Sequence, residues 1–289
     1  MIDEVLLCSD LDRTILPNGS QEESPEARPR LRILAAHDRV VVAYVSGRHQ
    51  KLLKEAIREY AIPVPNYAIG DVGTTVYEIS GNKWHPWQAW ADEIAPDWQG
   101  LQGSHLNKLL KDIDHLTLQE PDKQNTFKLS YYVPIDIDRH ALLDRVGERL
   151  NRHGVHASVI WSVDELKGIG LLDVLPEHAT KLHAIQFLMQ RKGFAPDETV
   201  FAGDSGNDLP VLTSGLQAVL VKNASDEVQR EALARVEETG QRTQLYLAEG
   251  GFLGMNGNYA AGVLEGLAHF LPETVEWMHG DSLLAERRF

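Results

Sequence analysis

Cysteine is almost missing from this chain: Cys8 is the only one in 289 residues. One thiol cannot build an internal disulfide framework, and such cysteine usage fits a reducing compartment. Cys8 lies inside an apolar run, where a free thiol packs as a small hydrophobe. Long apolar stretches are missing too, since none approaches the roughly 20 residues that span a bilayer. The opening Met1-Ile2-Asp3-Glu4 is acidic and lacks the basic-then-apolar pattern of a secretion signal. A cytoplasmic protein is expected. Positive charge is scarce: 28 Lys and Arg stand against 42 Asp and Glu, a net charge of −14. That balance argues against nucleic-acid and anionic-membrane partners. It does not exclude an anionic small molecule, because a metal ion reverses the local field. No internal repeat is visible. What remains is an ordinary globular composition, 43% hydrophobic, long enough for one large domain or two smaller ones.

Within that composition, one stretch stands out. Val5-Leu6-Leu7-Cys8 reads as a buried strand, and it runs into Asp10 and Asp12, with Thr14 two residues later. Acids held close together disfavour their own ionisation. A Mg²⁺ ion removes that penalty, because hard carboxylate oxygens are its preferred ligands. In extended backbone the i, i+2 spacing points both side chains the same way. One carboxylate is then free to attack while the other moves protons. A solvated strand-end turn is the plainer alternative, and this short motif alone does not choose between them.

The pattern recurs down the chain. Val40 to Val45 is a second buried-strand run, followed by Ser46-Gly47-Arg48 and a helical stretch with Leu52, Leu53, Ala56 and Ile57. Strand, small hydroxyl, glycine, helix is a phosphate-binding arrangement or a plain strand-to-helix turn. Tyr67 to Ile69 is a third strand; Gly70 to Thr74 then leads into Thr75-Val76-Tyr77-Glu78, which has the look of a hairpin. Thr199-Val200-Phe201-Ala202 is another apolar run that empties into acids, Gly203-Asp204-Ser205-Gly206-Asn207-Asp208. Its glycines allow a tight loop, and the loop lacks the alternating oxygen ligands of an EF-hand. With Asp10 and Asp12 supplied from a separate strand end, a shared metal site is the stronger reading. Lys181 sits in the first turn of a helix carrying Leu182, Ile185, Leu188 and Met189. A cation there opposes the helix dipole, which a nearby phosphate would reverse.

Composition changes between these motifs. Trp84, Trp87, Trp90 and Trp98 fall in one short segment. Core packing is the favoured use for them over stacking on sugar rings. Helical stretches at 106–113 and 140–150 and strand candidates at 128–133 and 157–161 suggest a small α+β domain. Leu171-Leu172-Asp173-Val174-Leu175-Pro176 is read as the return to the main sheet. A strand at 218–221 closed by Lys222-Asn223, a helix at 228–236, a glycine-rich connecting loop at 249–257 and a helix at 259–271 complete the pattern. Residues 272–289 carry no clear signal and read as a flexible tail. The fold class expected is α/β, a doubly wound parallel-sheet core of residues 1–79 and 174–289 with an inserted α+β cap domain at 80–173. In such sheets the site lies beyond the carboxyl ends of the strands, where Asp10, Asp12, Ser46 and Asp204 all fall. Two acid pairs, a hydroxyl and a lysine suit Mg²⁺-dependent phosphoryl transfer.

The ordered set Asp10-x-Asp12-x-Thr14, Ser46-Gly47-Arg48, Lys181 and Gly203-Asp204-x-x-Asn207-Asp208 resembles the haloacid dehalogenase superfamily, with a type IIB cap. Within it the chain looks like the sucrose-phosphate phosphatase family. The stretches that carry this are Ser9-Asp10-Leu11-Asp12, Asp71-Val72-Gly73-Thr74, Trp84-His85-Pro86, Lys128-Leu129-Ser130-Tyr131-Tyr132, Leu172-Asp173-Val174-Leu175-Pro176, the Asp204 loop, and Tyr259-Ala260-Ala261-Gly262-Val263 before His269-Phe270. Arg13 departs from the residue usual between Asp12 and Thr14, and Leu182 stands where a glycine often follows the lysine.

The resemblance implies roles. Asp10 attacks phosphorus to form an aspartyl-phosphate, and Asp12 protonates the leaving oxygen and then activates water. Ser46 and Lys181 hold the phosphoryl oxygens, and Thr14, Gly47, Arg48 and Asn207 belong to the same phosphate and substrate site. Asp10, Asp12 through its backbone carbonyl, Asp204 and Asp208 bind Mg²⁺. The implied substrate is a sugar or disaccharide phosphate, with sucrose 6-phosphate first and mannosylfructose phosphate next. A hexose-phosphate mutase and a non-catalytic sugar-phosphate-binding module are the alternatives. Association with a sugar-phosphate synthase is the implied partnership.

Overall fold

The computed structural model describes residues 3–164 and 167–279. Among them two compact units emerge, one of residues 3–70, 76–85 and 181–279, the other of residues 71–75, 86–164 and 167–180.

The larger unit is built on an eight-stranded sheet. Its strands are β1 (Val5–Ser9), β2 (Val40–Val45), β3 (Tyr67–Gly70), β4 (Thr75–Ser80), β5 (Lys83–Pro86), β10 (Thr199–Gly203), β11 (Gln217–Leu220) and β12 (Leu245–Leu247). They lie in the order β12-β11-β10-β1-β2-β3-β4-β5. β1 pairs in parallel with both β2 and β10, placing Ser9 opposite Tyr44 on one side and Ala202 on the other. Every β1 residue is buried. Side chains alternate faces along a strand, so helices must cover both faces, as a doubly wound sheet requires. On one face Val5, Leu7, Val42, Tyr44, Val200 and Val219 share a core with Leu31 and Leu34 of the helix Ala27–Ala35 and with Val263, Leu264 and Leu267 of the helix Ala260–Phe270. Glu265, buried in that last helix, accepts from the backbone N–H groups of Glu249 and Gly250 and from the Tyr246 hydroxyl, which anchors the glycine-rich loop.

The smaller unit carries an antiparallel sheet of β6 (Thr117–Leu118), β7 (Leu129–Val133), β8 (Ala157–Asp164) and β9 (Ile169–Pro176), in the order β6-β7-β9-β8. The helices Gly103–Leu110 and Arg139–Arg152 pack on it. Trp90 and Trp98 are fully buried, and Trp90 Nε1 donates to the Gly73 carbonyl at 3.0 Å. Packing is therefore the use of these two tryptophans. In the larger unit, half-buried Trp84 meets the Tyr77 ring edge-on at 5.5 Å, with Lys54 Nζ 5.1 Å from its centre.

Two expectations are corrected. The stretch 171–176 does not rejoin the main sheet: β9 lies between β7 and β8 in the small one, with Leu172 opposite Tyr131 and Trp161. An apolar run with a buried face looks the same whichever sheet receives it. Residues 272–279 are not a loose tail. Thr274–Trp277 forms a helical turn, Met278 is buried in the core, and Trp277 stacks on His37 at 4.4 Å. The rest of that expectation, residues 280–289, lies outside the described residues. The short edge strand β12 was not anticipated.

Candidate active site

The site is assembled in the larger unit at the carboxyl end of its parallel strands. Asp10 follows β1 directly, and its N–H continues the ladder by donating to Ala202 of β10 at 2.9 Å. Asp204 follows β10. Because β1 and β10 are adjacent and parallel, the two acids emerge side by side. Ser46 follows β2 on the other flank, its N–H bonded to the Ile69 carbonyl at 2.8 Å.

Asp208 turns back into this cluster and is completely buried. Its Oδ2 accepts from the N–H groups of Asp204 and Ser205, both at 3.1 Å, and from Ser205 Oγ at 2.9 Å. The turn needs glycine at its base, because a Cβ on Gly203 would stand 2.7 Å from the Asp208 side chain. Asp10, Asp204 and Asp208 each offer a carboxylate oxygen, and these atoms all lie within 4.8 Å of one another. Lys181 opens the helix Lys181–Lys192, and its Nζ donates to Asp10 Oδ1 and to Asp208 Oδ1, both at 2.7 Å.

Burial is the main force on these charges. It pushes the Asp10 carboxyl up to about 7 against the pull of Lys181, with Asp208 and Asp204 adding to the push. It lifts Asp204 to about 6, again with help from Asp208, while Arg13 pulls the other way. Lys181 is pushed up despite its burial, because two carboxylates hold its charge. With Nζ midway between them, the ion pair is the state we assign to Asp10 and Lys181 at neutral pH.

Asp12 has different surroundings. It is less buried, and Arg48 grips it with two hydrogen bonds, Nε to Oδ2 at 2.8 Å and Nη2 to Oδ1 at 2.6 Å. Asn18 Nδ2 adds a third at 2.7 Å. Burial works upward on Asp12, but the Arg48 contacts outweigh it and hold the carboxyl below its usual range. Thr14 Oγ1, fully buried, donates to Asp204 Oδ1 at 3.2 Å. Ser46 Oγ accepts from the Arg48 N–H at 3.2 Å. Gly47 and Asn207 lie exposed on their loops.

Three hard carboxylates at this spacing suit a divalent cation such as Mg²⁺. Burial first, and then repulsion from neighbouring carboxylates, raises Asp10 and Asp204, and such an ion would relieve that repulsion.

The model of the family described as sucrose-6F-phosphate phosphohydrolase matches residues 3–271. The chain belongs to that family. It is thereby a phosphatase of the haloacid dehalogenase type, and family and relatives alike support a sugar phosphate as its substrate class. A protein from Nitrosococcus oceani described as a HAD-like hydrolase is 60% identical over 278 residues, 96% of this chain and 75% of that protein. Sucrose-phosphatase 1 of Nicotiana tabacum is 26% identical over 275 residues, 92% of this chain. This chain spans only 59% of that plant enzyme's length. Among solved structures, the sucrose-phosphatase of Synechocystis in complex with sucrose and phosphate is 26% identical with a TM-score of 0.69, covering 92% of this chain and 98% of that one.

Sequence reasoning missed two supporting residues of this phosphatase. Asn18 lies in a loop whose Pro17-Asn18-Gly19 reads only as turn chemistry. It bridges Asp12 and the Arg13 N–H, the latter at 2.8 Å. Asn223, 4% exposed, follows β11 at the same sheet edge. Its Nδ2 donates to the Arg13 carbonyl at 2.6 Å and its Oδ1 accepts from the Tyr259 N–H at 2.7 Å. The rule that sites gather beyond strand carboxyl ends was the available signal for Asn223.

Proposed function

We propose that this phosphatase hydrolyses a sugar or disaccharide phosphate, sucrose 6-phosphate first, through an aspartyl-phosphate on Asp10. The observation that carries the reading is the meeting of Asp10, Asp204 and Asp208 oxygens within 4.8 Å beside a buried lysine. Asp10, ionised against Lys181, attacks phosphorus while the sugar oxygen departs. Asp12 gives that oxygen its proton and then takes one from the water that hydrolyses the acyl phosphate. In the resting geometry Arg48 keeps Asp12 ionised. An incoming phosphate dianion competes for the same guanidinium, and Asp12, released from it and beside the new negative charge, takes up a proton from solvent, which it then passes to the leaving oxygen. Ser46, at the β2 end, and Lys181 hold the phosphoryl oxygens. Thr14 orients Asp204 through its 3.2 Å hydrogen bond.

The resident metal would be Mg²⁺, held by Asp10, the Asp12 carbonyl, Asp204 and Asp208. When bound, it supplies positive charge to the transferring phosphoryl group. The smaller unit, which carries β6 to β9, would act as the cap that selects the sugar. The sucrose assignment draws support from the family model and from the sucrose and phosphate bound in the Synechocystis relative. Its setting would be the cytoplasm, and no helix among the described residues is long and apolar enough to cross a membrane.

A phosphate-release screen with Mg²⁺ over sucrose 6-phosphate, mannosylfructose phosphate and simple hexose phosphates tests the reading. Release with preference for a disaccharide phosphate is the expected result. No release from any of them, or an isomerised product that keeps its phosphate, would defeat it.

A further inference from the structure

The four acids of the site are not neutralised alike. Lys181 serves Asp10 and Asp208 at hydrogen-bonding distance, and Arg48 serves Asp12 with two bonds. Asp204, only 5% exposed, is paired with Arg13, whose Nε stands 3.5 Å from Asp204 Oδ2. The positive charge acting most strongly on Asp204 is that of Arg13, ahead of Lys181.

Arg13 holds this place at a conformational cost. Its φ is +61°, a left-handed backbone that disfavours any side chain and favours glycine. The loop enforces it from both sides: Asn18 takes the Arg13 N–H and Asn223 takes the Arg13 carbonyl. The guanidinium itself is held loosely. Its side chain is 48% exposed, and its other contact is a 3.4 Å bond to the Asn223 carbonyl. A cation that is loosely held, half in solvent, and beside an acid of the metal cluster is easily displaced.

We propose that Arg13 is the resident counter-ion of the metal position: it neutralises Asp204 in the metal-free protein and yields that carboxylate when a divalent cation binds. The inference rests on the reading of Asp10, Asp204 and Asp208 as metal ligands. It assigns Arg13 a role in setting how much Mg²⁺ the protein needs, separate from any contact with the sugar. The charge balance explains why an arginine is tolerated there. With Asp10, Asp12, Asp204 and Asp208 ionised and Lys181, Arg48 and Arg13 charged, the empty cluster carries one excess negative charge. Without Arg13 it carries two, and a doubly charged cation is attracted more strongly.

Titration calorimetry with Mg²⁺ alone, on the full chain without substrate, tests this in wild type, Arg13→Gln and Arg13→Lys. Arg13→Gln removes the charge and keeps a side chain of similar reach, so Mg²⁺ should bind about three- to tenfold more tightly, the range expected for a half-exposed, screened pair. Arg13→Lys keeps the charge and should stay within about twofold of wild type. The gain in Arg13→Gln should shrink as salt is raised. Equal or weaker Mg²⁺ binding by Arg13→Gln, with wild type binding normally, overturns the role of Arg13 and leaves the metal site standing. No Mg²⁺ binding by any of the three proteins overturns the metal site and the inference together. Equal tightening in Arg13→Lys and Arg13→Gln would place the effect in backbone strain and also overturn it.

Discussion

Lys181 Nζ lies 2.7 Å from Asp10 and 2.7 Å from Asp208, residues that reach it from opposite ends of the chain's core. This lysine ties the acid loop after β1 to the acid loop after β10. Replacing it with methionine would leave two buried carboxylates facing each other. Lys181→Met should therefore destabilise the protein by about 3 kcal/mol, the usual penalty for stripping one partner from a buried ion pair. Urea unfolding of wild type and variant in the presence of EDTA reads this directly. A loss below about 1 kcal/mol would mean that the pair is solvated.

Asp10→Asn removes the attacking oxygen while keeping shape and volume. Turnover should fall by about 10³-fold or more, with the circular dichroism spectrum unchanged. Phosphate release with Mg²⁺ is the measurement, and a variant retaining wild-type turnover would rule out the aspartyl-phosphate route.

Asp204, lifted to about 6, gives the metal-free protein a characteristic pH dependence. Its folded form holds a proton more tightly than its unfolded form, whose carboxyl has a pKa of about 3.9. Between those values the native state binds more protons, so stability falls as pH rises from about 4 to about 6. Asp12, held below its usual range, has the opposite sign and contributes stability that is lost only in acid. Asp204→Asn should flatten the decline between pH 4 and 6 by on the order of 1–2 kcal/mol at its upper end. Denaturation curves across that window in EDTA test it, and an unchanged slope would place the titration elsewhere.

Gly203→Ala places a methyl 2.7 Å from the Asp208 side chain. Real Cβ atoms do not tolerate that approach, so Asp208 must move and give up part of its bonding to the loop. A destabilisation of about 1–3 kcal/mol is expected, together with weaker Mg²⁺ binding. Gly206→Ala is the matched control, because a Cβ there meets nothing within 4 Å. Thermal melts and Mg²⁺ titrations of both variants should separate them, and equal behaviour would refute the packing argument.

Much of the larger unit could be read directly from the chain. β1, β2 and β10 are short, continuous apolar runs, as strands covered on both faces must be, and the acids that end β1 and β10 are conspicuous against them. The helix start at Lys181 was equally visible. β12 was not, because Leu245-Tyr246-Leu247 is too short to show a period. β9 misled for the reason that burial pattern reports which face is covered and not which partner strands supply the hydrogen bonds.

Local sequence determined that this chain has strand ends loaded with carboxylates, a serine-glycine turn after β2 and an unfavourably placed lysine, since each of these is a property of neighbouring residues. Tertiary structure alone decided who pairs with whom. Parallel register between β1 and β10 set Asp10 beside Asp204, the Asp208 turn delivered a third carboxylate, and Asn18 and Asn223 forced Arg13 into a backbone conformation it would not choose. Contacts between residues as far apart as 13 and 223 depend on how strands are ordered across a sheet, and that order is settled by packing of the whole core rather than by any single stretch.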